Sequence, residues 1–382
     1  MKKKLLIVMR NMIAGGIEKS CLSFIEHLKN DYDIDLFLFS KTGEFVEKIP
    51  NWVKVIEGTP KQEVLHQAET VCDLKTEPQE SKVNLKTRIK KILKKVGLHK
   101  LKPLYLGKGL KQKYDVVISF NGMNMLASNW VIKRTRASKK FAIVHCDLSK
   151  IEYYKKQIKI LSKFDKILCV SNSCKNKFVE LQSKLKNKVD YLYNFSDIET
   201  IKQNAAKENI EFPKTFNIIS VSRLSDEKAH DRTLKVLFKL KQEGYKFVWH
   251  IVGDGENKEK IQELIEKLNL GDCVKMHGYQ SNPYPYIKAA DLFLLCSHHE
   301  AAPMVFGEAM LLKTPVLSTK TCSAYELVGE NGYVCENSED GIYSKFKYIL
   351  DNKNDLKQKR MQLENFVYDN DKIKEKFKSL CD

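Results

Sequence analysis

The alternation of short apolar runs with amphipathic segments constrains the fold of this chain more than any other feature. Runs such as LLIVM at 5–9 and IISV at 218–221 are separated by stretches whose apolar residues recur at helical spacing. This alternation is typical of βα units that build a parallel sheet. The pattern pauses at a polar stretch, 199–213, and then restarts. We therefore predict an α/β chain with two domains, over 1–198 and 214–365, and a C-terminal helix over 366–382 that returns to the first domain.

The bulk composition agrees with two buried cores. At 382 residues with 43% hydrophobic side chains, the chain is too long for one ordinary core. No run approaches the roughly 20 apolar residues of a membrane-spanning helix, and 5–9 is interpreted as a strand and not as a signal peptide. The ten cysteines are scattered, with no CxxC pair and no histidine at metal-ligand spacing. They predict reduced core residues of a cytoplasmic protein and no metal site.

The positive charge is concentrated in one segment. The formal net charge is +18, and twelve Lys or Arg residues but no Asp or Glu lie between Ser81 and Tyr114. Apolar residues recur there at helical spacing, which predicts a basic amphipathic helix within 82–113. This helix either docks on its own domain or binds an anionic membrane surface, which would place the protein at the inner face of the cell membrane.

Two glutamates follow the apolar run DLFLLCS. In HHEAAPMVFGEAMLLKTPV, seven residues separate Glu300 from Glu308. Pro303 suits the first turn of a helix, so Glu300 should lie in the loop before that helix and Glu308 inside it. The helix start at Pro303, Met304 and Val305 should lie at the carboxyl edge of a parallel sheet, where N–H groups stabilise phosphates. The carboxylates would accept hydrogen bonds from sugar hydroxyls.

Glycine turns follow two other apolar runs. Gly15 and Gly16 stand in NMIAGGIEKS after 5–9, and Gly253 and Gly255 stand in VGDGE. A residue without a Cβ lets the backbone approach a phosphate or a sugar closely. We assign Gly253 and Gly255 mainly to turn geometry, and we expect Gly15 and Gly16 to serve either a turn or a ligand.

A histidine and an aspartate follow the run FAIV. His145 and Asp147, in AIVHCDLSK, come directly after a predicted strand. Side chains at this position lie at the carboxyl edge of a parallel sheet. A structural histidine and a histidine that contacts a substrate both fit this position.

Motifs along nearly the whole chain resemble, in the correct order, those of glycosyltransferase family 4. The segments are NMIAGGIEKS, VSNSCKNKF, YLYNFSDIE, SRLSDEKAHDRTLKVL, HIVGDGENKEKIQEL, HGYQSNPYPYIKAADLFLLCSHHE and the segment with the two glutamates. The resemblance implies the GT-B architecture, two Rossmann-like domains that face each other across a cleft. It also implies that a hexose-type sugar is transferred from a nucleotide diphosphate sugar with retention of configuration, without a metal or another cofactor.

The resemblance assigns roles to four residues of the second domain. Arg223 and Lys228, in SRLSDEKAHDRTLKVL, would neutralise the donor diphosphate in place of a metal ion. Glu308 would hold the ribose hydroxyls of the donor, and Glu300 the hydroxyls of the transferred sugar. We predict catalytic roles for Arg223, Lys228 and Glu300.

Further roles follow from the same resemblance. The backbone around Gly278 and Tyr279 would border the nucleotide base. Gly253 and the helix start at Pro303, Met304 and Val305 would also bind the donor. His145, which we also predict to be catalytic, would contact the reacting sugar or orient the acceptor, and Asp147 would lie on the acceptor side. Gly15 and Gly16 would border the donor.

The chain departs from the family pattern in three places. Ala301 replaces the usual glycine after the first glutamate, Lys313 replaces a frequent glycine before Thr-Pro, and TKTCSAYEL lacks a usual glycine pair. The last segment is similar to family variants that act in surface polysaccharide pathways. The partners expected from the resemblance are therefore a UDP-sugar donor and a glycan or lipid-linked acceptor.

Two other functions fit part of the sequence. A nucleotide-sugar 2-epimerase shares the two-domain fold, but the Arg–Lys and Glu-pair motifs favour transfer. A non-catalytic nucleic-acid-binding protein would suit the pI near 9.2, but an RNA-recognition signature is missing, and we expect no nucleic-acid partner.

Overall fold

The computed structural model describes residues 2–58, 108–147 and 155–382. They form two compact units. Unit 1 comprises the described residues within Met1–Val170, Lys175–Tyr193 and Ile373–Asp382, and unit 2 comprises Ser171–Cys174 and Asn194–Lys372. Most of the basic segment, 82–107, lies outside the described residues.

Unit 1 is built around a parallel sheet of seven described strands in the order β3-β2-β1-β4-β5-β6-β7. The strands are β1 (Lys3–Met9), β2 (Tyr32–Leu38), β3 (Lys54–Glu57), β4 (Lys113–Ser119), β5 (Arg136–Val144), β6 (Lys166–Cys169) and β7 (Val189–Tyr191). The helices that begin between these strands are Gly16–Leu28, Met125–Arg134, Lys155–Leu161 and Asn172–Leu181, with 3-10 turns at Val46–Lys48 and Ser183–Leu185. β1 is buried from Leu5 to Met9, as expected for a central strand covered on both faces.

Unit 2 repeats this plan with six described parallel strands in the order β10-β9-β8-β11-β12-β13. The strands are β8 (Phe216–Val221), β9 (Phe247–Val252), β10 (Val274–Gly278), β11 (Leu292–Leu295), β12 (Val316–Thr319) and β13 (Gly332–Cys335). The helices are Ile198–Ala205, His230–Gln242, Lys258–Lys267, Tyr284–Ala289, Met304–Leu311, Ala324–Val328, Glu339–Asp351 and Lys353–Gln362, with 3-10 turns at Asp226–Lys228, Gly329–Asn331 and Leu363–Asn365.

Two hydrophobic clusters of unit 2 divide its core. Trp249 and Phe346 belong to one cluster, and Phe293 and Phe306 belong to the other. Along β11, Leu292 and Leu294 belong to the first cluster and Phe293 and Leu295 to the second. Because successive side chains of a strand point to opposite faces, both faces of the sheet are covered. The predicted α/β class with two parallel sheets is confirmed.

The C-terminal helix Asn370–Cys381 ends in unit 1. Phe377 is fully buried there, and its ring centroid lies 5.0 Å from that of Phe24 and 5.6 Å from that of Tyr32. Lys374 adds an ion pair to Asp31 with an Nζ–Oδ2 distance of 2.6 Å. Aromatic packing and charge therefore both attach the last helix to unit 1.

We expect Phe377→Ala to lower the free energy of unfolding of unit 1 by about 3–5 kcal/mol, since a large buried ring is lost and a cavity remains. Urea unfolding followed by circular dichroism measures the loss. Glu375→Ala, an exposed change on the same helix, is the control. Equal unfolding midpoints for the two variants would show that the ring does not stabilise the unit.

Candidate active site

The carboxyl ends of four neighbouring strands of unit 2 carry predicted site residues. In the order β10-β9-β8-β11, Gly278 ends β10, Gly253 follows β9, Arg223 follows β8 and Glu300 follows β11. Parallel sheets bind their ligands at this edge. The topology therefore gathers residues that are far apart in the sequence.

An ion pair joins two of the predicted catalytic residues. Lys228 Nζ lies 2.5 Å from Glu300 Oε1, and the two side chains are only 20% and 9% exposed. The Ser297 hydroxyl donates to the same carboxylate oxygen at 2.6 Å. Shielding from water strengthens this attraction relative to that of a surface pair. An ammonium group has three N–H donors, so Lys228 keeps two for a ligand.

The backbone around Lys228 is held in an uncommon conformation. Lys228 ends the 3-10 turn Asp226–Lys228, and the next residue, Ala229, is left-handed with a φ of 51°. A residue with a Cβ adopts this region at an energetic cost. The His298 N–H donates to the Glu227 carbonyl at 2.8 Å, so a backbone hydrogen bond also joins the loops of the ion pair.

The predicted glycine turn after β9 packs on the loop that carries Arg223. Gly253 and Gly255 have φ values of 148° and 159°, and a Cβ on Gly253 would lie 1.9 Å from the Ser222 carbonyl oxygen. The Leu224 N–H donates to the Asp254 carbonyl at 2.9 Å. Packing alone therefore requires Gly253, and its contact with a donor stays a prediction.

The predicted base-binding position lies at the end of β10. Gly278 is left-handed with a φ of 68°, and its carbonyl accepts the Gly253 N–H at 2.8 Å. Tyr279, the next residue, is 56% exposed. An exposed aromatic ring beside a backbone bend can stack on a planar ligand.

Glu308 lies within the helix Met304–Leu311, as predicted, and is only 4% exposed. Pro303 precedes this helix with an extended ψ of 116°, whereas we predicted it for the first turn. Met304 and Val305 are the first helical residues, and their N–H groups have no acceptor within the helix. Burial raises the pKa of Tyr368, and the negative charge of Glu308 raises it further. Glu308 therefore lies close enough to Tyr368 for its charge to act on the Tyr368 hydroxyl.

Four predicted residues lie in unit 1. Gly15 precedes the helix Gly16–Leu28, and no atom lies within 4 Å of a Cβ built on Gly16, which leaves room for a ligand. The His145 ring stacks on Phe120 at 5.3 Å. Burial lowers the pKa of His145 to about 4, and a hydrogen bond with the Phe120 backbone opposes this shift. His145 is thus neutral near pH 7, and the half-buried Asp147 follows two residues later.

Two residues beside the Lys228–Glu300 ion pair, Ser297 and Glu227, were not predicted as site residues. Ser297 is fully buried beside Glu300. Desolvation raises the pKa of the Glu227 carboxyl, Lys228 lowers it, and Glu300 raises it. In the sequence, both residues lie in segments that carry the family resemblance. That position alone does not distinguish them from other polar residues of the same loops.

The part of the chain that holds this cluster has known relatives. Residues 201–367 match the family model Glycosyl transferases group 1. All the predicted site residues of unit 2 lie within this match. The match is to a domain of less than half the chain.

Two curated relatives carry glycosyltransferase names. An uncharacterized glycosyltransferase of Methanocaldococcus jannaschii is 32% identical over 168 residues, which are 42% of this chain and 41% of that protein. The Campylobacter jejuni protein N-acetylgalactosamine-N,N'-diacetylbacillosaminyl-diphospho-undecaprenol 4-alpha-N-acetylgalactosaminyltransferase is 33% identical over 168 residues, 43% of this chain and 45% of that one. The chain thus spans less than half the length of these relatives.

A solved structure matches the whole chain. Anabaena HepE, crystallised with UDP-glucose, superposes with a TM-score of 0.69 and 17% identity over 99% of this chain and 100% of that one. At this identity the likeness shows the fold, and it confirms the predicted GT-B class of α/β fold with two domains.

We expect acid to destabilise unit 2 through His230, the residue after Ala229. His230 is 4% exposed, and burial, followed by the Lys228 charge, lowers its pKa to about 4. An unfolded histidine has a pKa of about 6.5. The unfolded chain therefore binds more protons between these values, and the stabilisation present above about pH 6.5 is lost as the pH falls towards 4.

Urea unfolding of the wild type and of His230→Gln at several pH values measures this effect. Between about pH 7 and pH 4 the wild type should lose up to about 3 kcal/mol more than the variant. An identical pH dependence for both proteins would contradict the assignment.

Proposed function

We propose that this chain is a retaining hexosyltransferase that uses a UDP-sugar and acts on a glycan or lipid-linked acceptor in cell-surface polysaccharide biosynthesis. The observation that carries the proposal is the shielded Lys228–Glu300 pair with Ser297, at the carboxyl edge of the unit 2 sheet. The glycosyl transferases group 1 match over 201–367 includes all three residues.

The two cations act on the leaving group. As the bond between sugar and diphosphate breaks, negative charge grows on the departing phosphate oxygen, and a positioned cation stabilises that charge. Lys228 is held by Glu300 at 2.5 Å, so little reorganisation is needed when the donor binds. Arg223 is exposed after β8 and supplies a second cation to the diphosphate.

The two acids hold the sugars of the donor. Glu300 accepts hydrogen bonds from hydroxyls of the transferred sugar, and Glu308 accepts those of the ribose. The N–H groups of Met304 and Val305 bind a phosphate oxygen. The exposed Tyr279 borders the base. The UDP-glucose complex of the HepE structure supports UDP as the nucleotide.

The acceptor side is assigned to unit 1. His145 is neutral near pH 7, so it either accepts a hydrogen bond from a sugar hydroxyl or donates one to it. Asp147 lies two residues later and is assigned to the same side. For retention, we propose that the departing phosphate takes the acceptor proton on the face that it leaves, so no protein nucleophile is needed. The diphospho-undecaprenol in the name of the Campylobacter jejuni relative supports a lipid-linked acceptor.

We further propose a peripheral location at the inner face of the membrane. In the described ranges, no helix is long and apolar enough to cross a bilayer. The excess of lysines in 82–113 would attract anionic lipid.

We expect UDP, and not GDP or ADP, to raise the melting temperature of the wild type, because a ligand that binds only the folded state stabilises it. Glu308→Gln should remove most of this shift, since a neutral amide holds ribose hydroxyls more weakly. A shift of equal size in Glu308→Gln would contradict the ribose assignment.

Lys228→Met should reduce kcat by about a hundredfold or more, because a cation at the developing charge is lost. The measurement follows radiolabel from UDP-sugars into a lipid-linked glycan fraction. Lys235→Met, which removes a 54% exposed cation from the next helix, is the matched control and should keep normal turnover. Label in an epimeric nucleotide sugar would instead indicate an isomerase.

Sedimentation with vesicles that contain phosphatidylglycerol tests the membrane proposal. The protein should bind at low salt and dissociate as salt screens the charges. Replacement of Lys90, Lys91, Lys94 and Lys95 by Gln should weaken binding, and unchanged binding would remove the membrane proposal alone.

A further inference from the structure

A buried arginine contacts the carbonyl that starts the Glu300 loop. Arg232, in the first turn of the helix His230–Gln242, is 8% exposed. One terminal nitrogen donates to the Cys296 carbonyl at 2.7 Å, and the other donates to the Asn337 carbonyl at 3.4 Å. The buried Nε has no partner. The guanidinium therefore binds two backbone oxygens and leaves its Nε donor unsatisfied.

Among the described residues, no carboxylate forms an ion pair with Arg232. The thiols of Cys296 and Cys335 are close enough to feel its charge, but burial raises both pKa values, that of Cys335 to about 11, so both stay neutral. A buried charge paired only with carbonyls is costly. Stability alone thus does not explain an arginine on the buried face of this helix.

The Cys296–Glu300 loop is attached to its surroundings at successive residues. Arg232 holds the Cys296 carbonyl, and the Thr319 hydroxyl donates to the Ser297 carbonyl at 2.6 Å. The side chain of Asn337, whose own carbonyl contacts Arg232, donates to the His298 carbonyl at 2.9 Å. Arg232 therefore acts on the loop directly and through Asn337.

We propose that Arg232 is a positioning residue that fixes the loop and thereby aims the Glu300 carboxylate. It acts through the Cys296 carbonyl and does not touch the substrate. The importance of this position for turnover rests on the proposed function, but the effect on the loop does not.

The test compares Arg232→Met, Arg232→Lys and the surface control Lys235→Met. Methionine fills similar space and removes the costly buried charge, but it leaves two carbonyl oxygens without this donor, so the melting temperature of Arg232→Met should stay close to that of the wild type. Hydrogen exchange of the amides at 297–300, followed by mass spectrometry, should become faster in Arg232→Met and stay unchanged in Lys235→Met. Arg232→Lys, which keeps one charged donor, should restore part of the protection.

Turnover gives the second measurement. In Arg232→Met, kcat should fall by about tenfold or more while KM for the donor changes little, because the geometry of the reacting sugar is disturbed. Arg232→Lys should recover part of kcat. Unchanged exchange of the loop would overturn the proposal. Failure of Arg232→Met to fold, or activity lost only in proportion to folded protein, would also overturn it, because Arg232 would then serve stability.

These measurements distinguish a failure of the proposed function from a failure of the Arg232 proposal. A wild type without transferase activity would overturn the proposed function, whereas hydrogen exchange and melting temperature would still decide the role of Arg232.

Discussion

The ion pair between Lys228 and Glu300 links the two loops on which the candidate site depends. The two residues are 72 positions apart and stand after neighbouring strands, β8 and β11. Mutual neutralisation allows both charges to be shielded from water, where either alone would be costly. The same pairing aims an ammonium and a carboxylate at one edge of the sheet. Under the proposed function, the anionic part of the donor would contact the ammonium and its hydroxyl groups would contact the carboxylate.

The surroundings of this pair favour a preorganised site over a flexible one. The left-handed Ala229 and the hydrogen bond from His298 to Glu227 hold the backbone, and Ser297 holds the carboxylate. Interactions that are already formed before the reaction require little reorganisation free energy when charge develops in the transition state. Local strain at Ala229 and an unsatisfied donor on Arg232 lie in this same region, in keeping with the tendency of functional sites to carry local cost.

Sequence patterns predicted the sheet strands that are apolar and central. β1 and β9 are buried along most or all of their length, so their residues stand out as continuous apolar runs. The edge strand β3 was not predicted, because it has four residues and none of them is fully buried. An edge strand pairs with only one neighbour, and without a buried apolar run its residues carry little signal of a strand.

By itself the sequence determined the α/β class and the two-domain plan, and it placed Glu300 before a helix and Glu308 inside it. These features follow from local patterns, because strand and helix patterns depend on neighbouring residues, whereas Arg223 and Lys228 were singled out by the family resemblance of SRLSDEKAHDRTLKVL. Only the tertiary structure decided that Lys228 pairs with Glu300, that Ser297 joins them, and that Arg232 is buried against Cys296. Such contacts join loops that are far apart in the sequence. Their geometry depends on which strands pair in the sheet, and a local sequence pattern does not predict that pairing.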